Sequence, residues 1–165
     1  MGSGKSSVAN SLSKQLNFVS KDLDREIERI ENKSITELFS ERGEIYFRKK
    51  EAELLQTLLV EPSSMVLALG GGTPCYGTIM QDLNANDEVI TVYLKLSLDA
   101  LTERLFQEKE ERPLIAHLQT KELLNDFIRK HLFERSYYYN QASIILDTDG
   151  KYIDEISRAI VAQLF

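Results

Sequence analysis

Residues 2–16 read GSGKSSVANSLSKQL, and the fold turns on how this stretch is read. Gly2 and Gly4 flank Ser3 and lead into Lys5, Ser6 and Ser7. Glycines let successive backbone N–H groups turn toward one anion. A lysine reaches outer phosphates, and a Ser hydroxyl suits Mg2+. Val8, Leu12 and Leu16 then recur every four residues, the apolar stripe of a helix. Its positive N-terminal end would stand directly behind the loop. The full pattern is G-x-x-x-x-G-K-[ST], and its first Gly would precede Met1, so the match is partial. The rival reading is a flexible run of small residues or a tag remnant. An amphipathic helix starting at once after Ser6 argues against it.

Bulk properties narrow the field. The chain has 165 residues, enough for one domain with its own core. With 42% hydrophobic and 28% charged residues, it has the make-up of a globular protein. A net charge of −6 excludes a general nucleic-acid binder, which needs a basic surface. An anionic substrate would need a local cluster of Arg and Lys. Cys75 stands alone, so no intrachain disulfide forms, which suits a reducing cytosol. Two histidines and one cysteine make a poor zinc cage. The runs MVLAL and VITVYL are too short to cross a bilayer, and no signal-peptide pattern is present.

Further along, NFVS is a short strand candidate followed by KDLD, with a helix beginning near Asp24. Ser34 and Glu37 have capping-box spacing ahead of Ile35, Leu38 and Phe39. Gly43 breaks that pattern, and a further helix is expected from about Glu44 to Leu59. MVLAL, EVITVYLKL and ASIILDT are continuous apolar runs. Such strands are expected to be covered on both faces, as in a parallel sheet. Helical stretches lie between and after them: Thr78 to Leu83, Leu98 to Phe106, Lys121 to about Tyr139, and Tyr152 to Leu164. Alternating strands and helices predict βαβ units, an α/β fold with helices on both faces of a parallel sheet. Ligands bind such sheets beyond the carboxyl ends of the strands. DLD and GGG each follow a strand directly.

Several side chains carry candidate chemistry. Asp22 and Asp24, two apart in extended backbone, would point the same way. One would organise a metal's water shell and the other would accept a hydroxyl proton. The plainer alternative makes Asp24 a helix cap. Arg48 among apolar positions reads in isolation as a surface Arg with a buried stem. Gly70, Gly71 and Gly72 allow close backbone approach to a ligand. FQEKEERPLIAHLQ reads from composition as a solvated loop; its functional alternative is a lid carrying Arg112 over a phosphate site. Pro113 would hold the backbone at Arg112 extended. Arg135 ends a long helix, where a cation complements the dipole, and the tyrosines after it read as packing.

The order of these signals resembles shikimate kinase, a small P-loop kinase family related to nucleoside monophosphate kinases. The likeness runs from Gly2 to the C-terminus. SITELFSERGEIYFRKKE and LALGGGTP are its most discriminating pieces. The resemblance implies one domain over 1–165 and a parallel five-stranded sheet with helices on both faces. It also implies substrate-binding helices over about 24–59 and a mobile lid over about 107–119. It implies transfer of the ATP γ-phosphate to the 3-hydroxyl of shikimate, on the way to chorismate and the aromatic amino acids. It makes Lys5, Asp24 and Arg112 catalytic. Gly2, Ser3, Gly4, Lys5, Ser6 and Ser7 would cradle the phosphates, with Ser6 on Mg2+ and Asp22 holding the metal through water. Asp24 would bind the shikimate hydroxyls as candidate base. Arg48 and Arg135 would clamp the carboxylate, and Gly70, Gly71 and Gly72 would meet the ring hydroxyls. Arg104 and the DTDGK loop lie where the family holds adenine. The implied protein is a cytoplasmic monomer with no nucleic-acid or membrane partner. Its acidity is no obstacle, because a few arginines converging on one cleft suffice to hold anions.

There is one departure. The family begins with a strand feeding G-x-x-G-x-G-K-[ST], and that strand is central in its sheet. Its place would be between the strands ending at KDLD and LGGG, or beyond. The expectation is that this strand and the first loop Gly lie ahead of Met1, in roughly eight to ten residues. Two alternatives stand beside the shikimate reading: a related P-loop kinase for another small polyol acid such as gluconate, and a non-catalytic relative.

Overall fold

The computed structural model describes residues 2–112 and 114–165, with the side chain of Glu111 left aside. Met1 and Pro113 lie outside the described residues; Arg112, expected to be extended, has φ −125° and ψ 94°.

Helix α1 spans Lys5–Leu16 and ends at Asn17 in left-handed conformation. Strand β1 (Val19–Asp22) runs without a loop into α2 (Leu23–Glu31). Helix α3 (Ile35–Leu59) opens on the expected capping box. The Ser34 hydroxyl accepts from the Glu37 N–H at 3.2 Å, and the Glu37 carboxylate accepts from the Ser34 N–H at 2.7 Å. Gly43 kinks α3 at φ 81°, ψ 172°, the break expected there. Strand β2 (Met65–Ala68) delivers the glycine turn and a 3-10 turn at Thr73–Cys75. Then come α4 (Ile79–Ala85), β3 (Val92–Lys95), α5 (Leu98–Gln107), a 3-10 turn at Lys109–Glu111, α6 (Lys121–Tyr139), β4 (Ile144–Asp147) and α7 (Ile153–Leu164).

Among the described residues the four strands form two parallel pairs, β1 with β2 and β3 with β4. Thus the strands ending at DLD and LGGG pair directly, and no strand separates them. The opening lies on the other side of β2. A cavity of about 600 Å³ is lined by β2, β3 and one face of α1. The five-stranded sheet is therefore not seen as such. Nor are all strands covered on both faces. In β4, Ile144 and Leu146 are buried while Ile145 is 43% exposed. Helix α7 packs on β4, leaving an alternating pattern.

Three apolar clusters form the core. Leu23, Ile27, Leu38, Phe47 and Leu55 join α2 to α3. Val8 and Leu12 of α1 meet Leu94, Leu146, Ile156 and Ile160. Leu101, Leu105, Leu124 and Ile128 join α5 to α6 and close over fully buried Ile115. Hence α1 packs on the β1–β2 pair and on α7, and α7 in turn packs on β4.

Candidate active site

The chemistry gathers at the carboxyl ends of β1 and β2 and at the start of α1. Gly2 and Gly4 adopt φ of 72° and 80°, a conformation that strains other residues. Gly4 is the N-cap of α1 and brings no side chain to the first turn, which also carries no acidic residue. The free N–H groups of that turn therefore suit an anion. Arg104 of α5 donates to the Gly2 carbonyl at 2.9 Å and so braces the loop. Arg104 also lies near Asp149, whose carboxyl is held down first by the Ser97 hydroxyl and backbone and only last by this arginine. The DTDG loop is tied to the start of α5, where the Asp149 carboxylate accepts from the Ser97 N–H at 2.9 Å. Ser7 faces solvent one residue beyond Ser6.

Lys5 is the hub. Burial lowers its pKa, while the charges of Asp24 and Asp22 raise it and those of Arg112 and Arg135 lower it. Four of the expected charged residues therefore act on one ammonium. The Ser6 hydroxyl donates to Asp22 at 2.6 Å. Asp22 is also the N-cap of α2, accepting weakly from the Arg25 N–H at 3.4 Å. The plain alternative for Asp24 is thereby corrected: the cap is Asp22, because β1 enters α2 with no intervening loop. Asp24 sits in the first helical turn, not in extended backbone. Its pKa is raised to about 6, chiefly by burial, then by Glu51 and Asp22, against the pull of Lys5.

The glycine turn closes the other side. A Cβ on Gly70 would stand 2.9 Å from Glu51 Oε1 and 3.0 Å from Asp24 Oδ1. A Cβ on Gly72 would stand 2.7 Å from Arg48 Cζ. Only glycine lets the turn approach these side chains so closely. Arg48 is 13% exposed and donates to Glu51 at 2.5 Å and to Glu44 at 3.3 Å. Burial lowers the Arg48 pKa, but Glu51 and Glu44 outweigh it and the net shift is upward. The surface reading of Arg48 is overturned. Burial pushes the Cys75 thiol pKa up, against the charges of Arg135 and Arg48. Arg112 pairs with Glu108 at 2.6 Å.

Comparison with known proteins decides what this arrangement is. The family model described as Shikimate kinase matches residues 1–165. The chain belongs to the shikimate kinase family. The shikimate kinase of Flavobacterium johnsoniae is 45% identical over 161 residues, 98% of this chain and 92% of that protein. That of Flavobacterium psychrophilum is 40% identical over 165 residues, 100% and 95% of the two chains. Among solved structures, the Bacteroides thetaiotaomicron shikimate kinase superposes with TM-score 0.87 at 32% identity, covering 99% of this chain and 93% of that one. The Acinetobacter baumannii shikimate kinase in complex with shikimate gives TM-score 0.85 at 28% identity, covering 99% and 88%.

For this shikimate kinase family member, reading the sequence missed Glu51 and Thr73. Glu51 is 1% exposed and accepts from Arg48 on one oxygen and from the Thr73 hydroxyl on the other, at 2.6 Å. The available signal was spacing: Arg48 and Glu51 are three apart, on one helical face with the core residue Leu55. A carboxylate on an inward face needs partners, and the nearest is that arginine. Among the described residues no helix is long and apolar enough to cross a membrane.

Proposed function

We propose that this chain moves the γ-phosphoryl group of ATP onto the 3-hydroxyl of shikimate. The carrying observation is the Ser6–Asp22 hydrogen bond at 2.6 Å beside a glycine turn set tightly against Asp24 and Arg48, with the charges of Asp22, Asp24, Arg112 and Arg135 all acting on Lys5. It supports a donor half built from the α1 loop, Arg104 and Arg112, and an acceptor half built from Asp24, Arg48, the glycines and Arg135. Membership of the kinase family makes ATP the donor.

Phosphoryl transfer asks for alignment and charge stabilisation. Lys5 and the α1 N–H groups bind the outer phosphates. Arg112 leaves Glu108 and swings onto the transferring group when the 107–119 segment closes. Arg48 and Arg135 offer paired donors to the planar carboxylate. The glycine N–H groups meet ring hydroxyls. Asp24 accepts the hydroxyl proton as the new P–O bond forms and the bond to the bridging oxygen breaks. A carboxyl poised near 6 is charged at neutral pH yet basic enough for that task.

Among the described residues no cluster of three or more His, Cys, Asp or Glu is placed to hold a metal alone. Magnesium needs only one or two protein oxygens beside substrate phosphates and water. The Ser6 and Asp22 oxygens, 2.6 Å apart, fit that sparse donor set. Mg2+ held there would neutralise phosphate charge. The same reading supplies a fifth strand to the slot between β2 and β3, supported by its apolar lining. It also makes the enzyme a cytoplasmic monomer, in keeping with one cysteine and an acidic composition.

The test is ADP release from the full chain with shikimate, gluconate and other hydroxy acids as acceptors. Turnover is expected with shikimate. Preference for gluconate, or no turnover with any acid from a folded protein, would overturn the reading.

A further inference from the structure

We propose that Tyr139 is a positioning residue for the acceptor half of the site, its phenol tying the Gly70–Gly72 turn to the helix that carries Arg135. This rests on the shikimate reading above. Tyr139 is the last residue of α6, four after Arg135, so both lie on one helical face. Its hydroxyl donates to the Gly71 carbonyl at 2.5 Å, across 68 residues of sequence. Its ring packs tilted against Tyr93 of β3, with centroids 5.0 Å apart. Packing alone needs only the ring. The hydroxyl has a directed partner, and that partner belongs to the turn that reaches the substrate.

Three successive glycines bring no side chains and lose the most backbone freedom on ordering. The turn has two backbone bonds of its own, Thr73 N–H to the Gly70 carbonyl at 3.2 Å and Cys75 N–H to the Gly72 carbonyl at 3.0 Å, and the Gly71 carbonyl is left for neighbours to anchor. From α3, Glu51 holds the Thr73 hydroxyl at the end of the turn. From α6, Tyr139 holds Gly71. Among the described residues the one other donor near that carbonyl is the Cys75 thiol at 3.9 Å, a weak one. Arg135 and Tyr139 line one small cavity, and the Arg135 charge acts on the Tyr139 phenol and on Cys75 alike. With both ties made, Arg48, the glycines and Arg135 form one unit before substrate arrives. Without the phenol, the turn must be ordered by substrate itself.

Tyr139→Phe removes one oxygen and keeps the ring pair. The expected result is a rise in shikimate KM of roughly five- to tenfold, the size of one directed hydrogen bond whose acceptor is left behind. The KM for ATP and kcat should stay within about twofold of the parent, since the change touches only acceptor binding. Amide hydrogen exchange across residues 70–73 should quicken in the variant without ligand. Tyr93→Phe keeps the Tyr139 phenol and should match the parent in both readouts. Unchanged shikimate KM with unchanged exchange in Tyr139→Phe overturns the proposal, as does equal loss for shikimate and ATP. Failure of the variant to fold also overturns it, because the phenol would then hold the whole fold and not this turn. If the parent itself ignores shikimate, the functional reading fails instead. The exchange measurement then still judges the tie.

Discussion

Gly72→Ala isolates the seat of Arg48 with one methyl group. Gly72 has φ −89° and ψ −21°, a conformation open to alanine, so backbone strain plays no part. The added Cβ would stand 2.7 Å from both Cζ and Nη1 of Arg48. Nη2 is nearer still, and ordinary contact begins near 3.5 Å, so the guanidinium must retreat by about 1 Å. That movement pulls Nη1 off Glu51, now 2.5 Å away, and away from the substrate carboxylate. Loss of a charged hydrogen bond of this kind costs about 2–3 kcal/mol, or roughly 30- to 150-fold in shikimate KM. The assay couples ADP release to NADH oxidation, titrating shikimate at saturating ATP and then the reverse. The KM for ATP should hold. Gly77→Ala is the control: with φ at +56° and open space around it, it strains the backbone without touching the site. It should cost about 1 kcal/mol of stability and leave both KM values alone. A Gly72→Ala enzyme with parental shikimate KM would refute the placement of Arg48 over this glycine as a substrate clamp.

Asp24→Asn should collapse kcat yet raise Tm at pH 7. A carboxyl raised from 3.8 to about 6 favours the folded state fully below the lower value and loses that contribution as pH rises through the higher one, about 3 kcal/mol in all. The Tm advantage of the variant should therefore vanish by pH 4, which calorimetry across pH 4–8 would show; an advantage constant with pH would disprove the origin of the shift. Parent activity should decline as pH falls through about 6, as Asp24 takes up its proton. Arg104→Ala releases the Gly2 carbonyl and should raise the ATP KM about tenfold, leaving the shikimate KM unchanged; the opposite split would remove Arg104 from the donor half. An apolar strand joined ahead of Met1 should fill the slot between β2 and β3 and raise both Tm and kcat. Identical melting of the two chains would show that the slot takes no strand.

The sequence was most legible where one signal ruled. Helices α1 and α6 begin and end where apolar spacing put them, at Lys5–Leu16 and Lys121–Tyr139. The α3 capping box and the Gly43 break rest on local chemistry and were readable for that reason. Strand order was not, because apolar runs look alike whichever neighbour they pair with. Arg48 looked like a surface residue because the three-residue spacing to its counter-charge, Glu51, went unread and its seat, Gly72, is told by packing alone. For Asp22 and Asp24 the backbone was misread: alternation assumed a strand where a helix had already begun. Arg112 was placed near Lys5 only by resemblance, and the structure adds its resting partner, Glu108.

Helix α1 serves two ends of the molecule's life. Its apolar stripe ties the β1–β2 pair to α7, which packs on β4, and its first turn is the proposed phosphate cradle. Fastener and proposed cradle are thus the same dozen residues. A chain that loses its grip on the nucleotide through fraying of α1 is also a chain coming apart. On heating, activity and tertiary structure should disappear together, leaving no sleepy but intact species between working enzyme and unfolded chain.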